Sequence, residues 1–171
     1  MSRLLGIDLG ERRIGLAVAD EDGSAARPHA TLRRGSDLAA DAAALGSVVN
    51  AQGIDELVVG LPLEASGAEG PQAALTRTWA EAMGDRLRIP LSLRDERLSS
   101  HLAESRLGPM KRGRSGGPPS KTQRDTYRAR VDREAAAIIL QDELDTRAGR
   151  RSFLRRDPQA PRTPDPNEVS R

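Results

Sequence analysis

The stretch Leu4-Leu5-Gly6-Ile7-Asp8-Leu9-Gly10, continued by Arg13-Ile14-Gly15-Leu16-Ala17-Val18-Ala19-Asp20, decides the fold. Two apolar runs flank a short polar turn that carries Gly10, which is the pattern of a β-hairpin. One residue breaks it. Asp8 lies inside the first apolar run, where strand propensity favours Val or Ile. A buried carboxylate is costly unless its charge is compensated. A metal ion is the obvious partner; the competing reading is a strand end whose carboxylate accepts from turn amides. What separates the two is whether other acids are placed to meet Asp8.

Outward from the hairpin, Gly23 marks a turn. Ala25 to Leu32 then reads as an edge strand, because Pro28 cannot donate to a ladder. Ser36-Asp37 opens a helix with Leu38, Ala42, Leu45 and Val49 at helical spacing, closed by Gly53. Leu57-Val58-Val59 lacks polar alternation, as expected of a parallel strand covered on both faces. Gly60-Leu61-Pro62-Leu63 leads into a loop with Gly67 and Gly70, and Pro71 starts a helix carrying Leu75, Trp79 and Met83. Ile89 to Leu93 is the next strand, with Asp95-Glu96-Arg97 at its end. Ser99 or Ser100 is placed to cap a helix that runs to about Leu107.

Residues 108–125 contain Gly108-Pro109, Gly113, Gly116-Gly117 and Pro118-Pro119, so they read as an irregular, flexible loop. A long helix follows from about Thr126, with Val131, Ala135 and Ile138 on one face, and ends near Ala148-Gly149. The order β-β-β-α-β-α-β-α-loop-α implies an α/β protein with a mixed five-stranded sheet and helices on both faces. One domain is expected over residues 1–149. Residues 150–171, with Pro158, Pro161, Pro164 and Pro166 among charges, read as a disordered basic tail.

A chain of 171 residues can bury a real core. Only 2% of it is aromatic, so Ala, Leu, Ile and Val must do the packing. Cysteine is absent, which removes disulfides and thiolate metal sites and fits a reducing interior. Neither a signal peptide nor a membrane span is legible. The net charge of +2 conceals a segregation. Between residues 108 and 130, Lys111, Arg112, Arg114, Lys121, Arg124, Arg128 and Arg130 face Asp125 alone. That suggests a polyanion held at one place. The expected phosphate ligands are Arg97, Lys111, Arg112, Arg114, Lys121 and Arg124. Base stacking has few candidates, and Tyr127 is the aromatic residue beside the basic loop.

Two further acids stand where Asp8 could meet them. Glu96 is at the end of the last strand, and Asp132 is in the first turns of the last helix. In an α/β sheet the functional crevice forms at strand ends, so the three converge if the first and last strands are neighbours. Each also has an ordinary reading, Glu96 flanking a strand end beside Arg97 and Asp132 favoured near a helix start. Oxygen ligands without Cys or a placed His select Mg²⁺ or Mn²⁺, and such an ion supports phosphodiester hydrolysis. Glu134, Asp142, Glu143 and Asp145 read as solvated helix residues.

The set Gly6-Ile7-Asp8-Leu9-Gly10 with Arg13-Ile14-Gly15-Leu16-Ala17-Val18, Gly60-Leu61-Pro62-Leu63, Asp95-Glu96-Arg97-Leu98, and Asp132 with Ala135-Ala136 and Ile138-Ile139-Leu140 closely resembles the YqgF family, also called RuvX. Its members are named as pre-16S rRNA nucleases or Holliday junction resolvases. The resemblance spans roughly residues 3–145. It implies an RNase H-like fold, a divalent metal, a cytoplasmic bacterial location and trimming of the 5′ end of the 16S rRNA precursor. Asp8, Glu96 and Asp132 match the family's acidic positions. Where RuvC-type resolvases carry a further Asp, this chain has Ala135.

The leading expectation is a metal-dependent endonuclease acting on structured RNA in ribosome biogenesis, with pre-16S rRNA or ribosomal particles as partners, as a monomer or weak dimer. A resolvase of branched DNA would need two sites facing one junction, hence a symmetric dimer. A non-catalytic nucleic-acid-binding assembly factor on the same fold is the third class.

Overall fold

In the computed structural model, which describes residues 2–97, 99–113 and 116–155, Leu4–Leu9 (β1) and Arg13–Ala19 (β2) form the expected antiparallel hairpin. Ala26–Arg33 (β3) adds to β2 as an edge strand. Its register skips His29 opposite the Leu16/Ala17 step, so Pro28 sits at a bulge, where a missing N–H is tolerated. Helix α1 (Leu38–Gln52) follows, then β4 (Glu56–Leu61), α2 (Pro71–Leu87), β5 (Leu91–Asp95), α3 (Ser99–Leu107) and α4 (Lys121–Arg155). The sheet order is β3-β2-β1-β4-β5, with β1, β4 and β5 parallel.

Strand alternation sorts the side chains into two layers. Leu5, Ile7, Ile14, Leu16, Leu57 and Val59 pack under α1 and α2 with Leu45, Val49, Trp79 and Met83. On the opposite face, Leu4, Ala17, Ala19 and Val58 meet Ala136, Ile139, Leu140 and Leu144 of α4. That second face is built of small residues so that a helix backbone can come close. A Cβ on Gly6 would lie 2.7 Å from the Ala136 carbonyl oxygen. A third cluster seats α3 on α4 through Ala103, Val131 and Ala135. Ala135, at the place of the extra resolvase Asp, is therefore a packing residue.

Helix α1 starts as expected, with the Asp37 carboxylate accepting from Ala40 N at 2.8 Å, and ends on Gly53 at φ 60°. Two local expectations are corrected. Leu75 is turned outward and Thr76 takes the buried position on α2 beside Trp79. Glu143 is buried, because Arg147 Nε at 2.6 Å and Arg94 Nε at 3.2 Å answer its charge.

The last helix is also longer than expected at both ends. Ser120 and Gln123 form a reciprocal capping box: Ser120 N donates to Gln123 Oε1 at 2.7 Å, and Gln123 N to Ser120 Oγ at 3.2 Å. So α4 begins at Lys121, and the irregular segment stops at Ser120. At the far end Gly149 costs only about 1 kcal/mol against Ala inside a helix. No proline intervenes before Pro158, and α4 continues to Arg155. Residues 156–171, most of the expected tail, lie outside the described residues.

One buried acid escaped the sequence reading. Asp41 is 1% exposed and accepts from Arg34 Nε at 2.9 Å, Trp79 Nε1 at 2.9 Å and Gly35 N at 2.7 Å. Arg34 also donates to the Gly10 carbonyl at 3.0 Å, so this cluster ties the β1–β2 turn to both covering helices. Asp41→Ala leaves a half-buried guanidinium and a buried indole N–H without their acceptor. A loss of about 3–5 kcal/mol is expected by urea denaturation. A loss under about 1 kcal/mol would mean that the cluster does not brace the fold.

Candidate active site

The parallel strands end together on the α4 face. Asp8 is near the end of β1 and shares its face with Gly6, so its half-buried side chain points toward α4 rather than into the α1–α2 layer. Glu96 follows the last residue of β5. Its backbone N–H donates to the Leu61 carbonyl at 3.2 Å. Its own carbonyl accepts from both the Ser99 N–H and the Ser99 hydroxyl at 3.0 Å. Ser99 thus anchors the acid-bearing turn to the start of α3, where the sequence suggested a simple helix cap. Asp132 comes from α4, one turn before the Ala136 contact with the sheet.

The first and last strands are not neighbours, as the sequence reading required; β4 lies between them. The acids meet because β4 carries Gly60 at that level. A Cβ there would overlap the Glu96 carboxylate oxygen Oε2 and lie 2.5 Å from Ile139 Cδ1. The missing side chain lets the Glu96 carboxyl cross over β4 toward Asp8. A second glycine works in the same way. Gly15 stands opposite Asp8 in the β1–β2 register, and a Cβ on it would overlap the Asp132 carbonyl and lie 2.9 Å from Arg133 N. The sequence signal for both was a glycine within a strand pattern.

The electrostatics are those of two crowded, largely buried acids. Burial, then the Asp132 charge, pushes the Asp8 carboxyl up to about 6, although a hydrogen bond with Glu96 opposes the rise. Burial, then the Asp8 charge and hydrogen bond and the Asp95 charge, pushes Glu96 up to about 9. Glu96 Oε2 is buried with no hydrogen-bond partner. A pair of crowded carboxyls with an unpartnered buried oxygen is a donor set suited to a hard cation. Asp132 stands next to the pair, but its Oδ2 accepts from Arg13 Nε at 2.5 Å. Among the described residues no group of three His, Cys, Asp or Glu forms a ready metal cage. The Asp8–Glu96 pair fits a cation, while Asp132 is held beside it by Arg13.

The signs give a test of this crowding. Both folded-state values lie above the ordinary values of about 3.9 and 4.3, so the folded chain binds more protons than the unfolded one. The stability these groups contribute is complete below about pH 4 and is lost as pH rises through about 6 and about 9. In chelator, the thermal midpoint is expected to fall between pH 5 and 9. Millimolar Mn²⁺ or Mg²⁺ is expected to raise it, more at pH 8 than at pH 5. A midpoint indifferent to the ions at both pH values would mean that the pair does not take a cation.

The expected phosphate ligands are scattered. Arg97 is held by Asp95, NH2 to Oδ2 at 2.7 Å, and donates to the Ala65 carbonyl at 3.2 Å, so it braces the loop after β4. Lys111 and Arg112 lie on the segment before α4, and Lys121 is the first residue of that helix. Arg124 donates to the Pro119 carbonyl at 2.5 Å. Arg114 lies outside the described residues. Tyr127 donates to the Gly108 carbonyl at 2.8 Å.

A mixed five-stranded sheet with a long helix packed across the ends of its parallel strands is an RNase H-like fold. The chain matches the family model described as RuvX: Holliday junction resolvase over residues 2–146. A protein of Anaeromyxobacter dehalogenans named "Putative pre-16S rRNA nuclease" is 48% identical over 147 residues, covering 85% of this chain and 98% of that protein. One of the same name from Chloroflexus aurantiacus is 38% identical over 144 residues, covering 84% and 87%. Among solved structures, T. thermophilus RuvC in complex with a Holliday junction substrate superposes with a TM-score of 0.51 at 14% identity, over 87% of this chain and 97% of that one. At that identity the likeness speaks for the fold alone. The chain belongs to the RuvX family of nucleases.

Proposed function

We propose that this chain is a divalent-metal-dependent endonuclease that hydrolyses phosphodiesters in structured RNA and processes the 5′ end of pre-16S rRNA during ribosome biogenesis. In this reading residues 1–149 form the nuclease domain, working in the cytoplasm as a monomer or weak dimer on precursor RNA or ribosomal particles. The observation that carries the hydrolytic part is the Asp8–Glu96 pair, two crowded carboxyls with Glu96 Oε2 unpartnered. The RNA substrate rests on the relatives named for pre-16S rRNA.

Asp8, Glu96 and Asp132 would hold Mg²⁺ or Mn²⁺. When bound, such an ion polarises a phosphoryl oxygen and acidifies the attacking water. The chain's own residues prepare the place. Ser99 fixes the turn that carries Glu96, Gly60 clears the path between the acids, and Arg13 holds Asp132 beside them. Lys111, Arg112 and Lys121 are the expected phosphate contacts, joined by Arg97 and Arg124 if they leave their present partners. Arg114 completes the proposed set.

A second reading, cleavage of branched DNA, has one supporting observation, the family description as Holliday junction resolvase. End-labelled precursor rRNA and a four-way DNA junction, each incubated with the chain and Mg²⁺, separate the readings. Metal-dependent cuts in the RNA are expected. Cuts confined to the junction would replace the RNA reading with resolution. Tight binding to the RNA without any product would leave an assembly factor.

A further inference from the structure

A basic groove on the β2–β3 side of α4 leads toward the carboxylates. Arg12 in the β1–β2 turn, Arg33 at the end of β3 and Lys121 at the start of α4 line a cleft of about 370 Å³. Thr31, Leu32 and Ala129 also line it, and Asp125 is the one acid there. Arg13 belongs to the same wall and is the residue that grips Asp132. The cleft therefore adjoins the proposed cutting site through a shared side chain.

Most of the positive charge in this cleft has no internal partner. Arg33 lies directly opposite Arg13 in the β2–β3 register. Directly opposed like charges destabilise a sheet pair. Arg13 is answered by Asp132, but among the described residues Arg12, Arg33 and Lys121 form no ion pair. Elsewhere the fold provides partners: Arg34 has Asp41, Arg94 has Asp142 and Glu143, and Arg147 has Glu56. Four cations crowded in a concavity with a single acid, Asp125, form a field for a polyanion. The guanidinium forks of Arg12 and Arg33 suit phosphate oxygens, and no aromatic ring lines the cleft to read a base.

We propose that this groove binds the phosphodiester backbone of the substrate strand beside the scissile bond and leads it past Arg13 to Asp132, Asp8 and Glu96. This rests on the nuclease reading and extends the expected phosphate contacts, of which only Lys121 lies in this cleft, to the β2–β3 side of α4. It assigns Arg12 and Arg33, neither of which the motifs singled out, to phosphate binding.

The test is the salt dependence of binding, measured on the full chain in chelator so that nothing is cut. The probes are a fluorescein-labelled 20-nucleotide single-stranded RNA and the DNA of the same sequence, followed by anisotropy over a KCl series. Each phosphate contact contributes about 0.7 to the slope of log K against log salt for a single strand. Arg12→Gln with Arg33→Gln is therefore expected to lower that slope by roughly 1.4 on both probes. Arg33→Gln alone, at an exposed strand end, is expected to lower it by about 0.7. Arg86→Gln with Arg88→Gln, on and just after the last turn of α2, is expected to leave it unchanged.

A wild-type slope in the Arg12/Arg33 double variant would overturn the groove while leaving the nuclease reading intact. A fall on one probe alone would overturn the phosphate assignment, since the two strands share their phosphates. Failure of the wild-type chain to bind either probe would overturn the nucleic-acid reading itself, and the groove with it.

Discussion

Asp8→Asn is expected to raise stability and abolish cleavage in the same protein. The amide nearly matches the carboxylate in shape but carries no charge. Without chelatable metal, it removes the Asp8 charge that adds to burial in pushing Glu96 up to about 9, and ends the Asp132 penalty on position 8. The thermal midpoint in chelator at pH 8 should rise, and its fall between pH 5 and 9 should flatten. Cleavage should drop by at least about 10²–10³-fold, the scale for losing one preorganised electrostatic group in a site. Binding of the RNA should persist, because the basic groups lie apart from the mutation. The stabilisation by Mn²⁺ should shrink with the activity. A variant that cuts at the wild-type rate would reject the assignment of Asp8 to the reaction. One that loses activity and also melts lower would make Asp8 a structural residue.

Gly15→Ala is expected to cost more than any other single methyl added to this sheet. The new Cβ has no room, because the Asp132 carbonyl and the Arg133 N–H of α4 already occupy its place. Both obstacles are helix backbone, so no side chain can rotate away. The helix must lift, and with it the Ala136, Ile139 and Leu140 layer. About 3 kcal/mol of destabilisation is the expected scale for such overpacking. For a chain of this size that is roughly a 6–12 °C fall in thermal midpoint. Activity should fall further than stability alone explains, since Asp132 is carried away from Asp8. The control is Gly149→Ala, where nothing lies within 4 Å of the added Cβ. There the helix should gain about 1 kcal/mol. Equal effects at the two glycines would show that α4 does not press on β2.

Most of the element order was legible because each element announces itself locally. The hairpin shows two apolar runs, α1 has Asp37 before it and Gly53 after it, and α2 starts on Pro71. The misplaced positions failed for local reasons too. Leu75 is more hydrophobic than Thr76, but the helix phase turns it to solvent. The Ser120–Gln123 capping box was hidden behind Gly116-Gly117-Pro118-Pro119, which reads as a breaker. Glu143 resembled its solvated neighbours until Arg94 and Arg147, from other positions of the fold and the same helix, closed on it.

By itself the sequence determined the alternation of strands and helices, the two-faced sheet and the three acids set apart from the packing, because periodicity and an out-of-place charge are properties of neighbours along the chain. Only the tertiary structure decided how those acids meet. It inserted β4 between β1 and β5, and used Gly60 to let Glu96 cross it. It pressed α4 onto Gly15 and gave Asp132 to Arg13, a partner 119 residues away. Close approach of backbones and competition for a charge depend on what the fold brings within a few ångströms, and no local pattern records that.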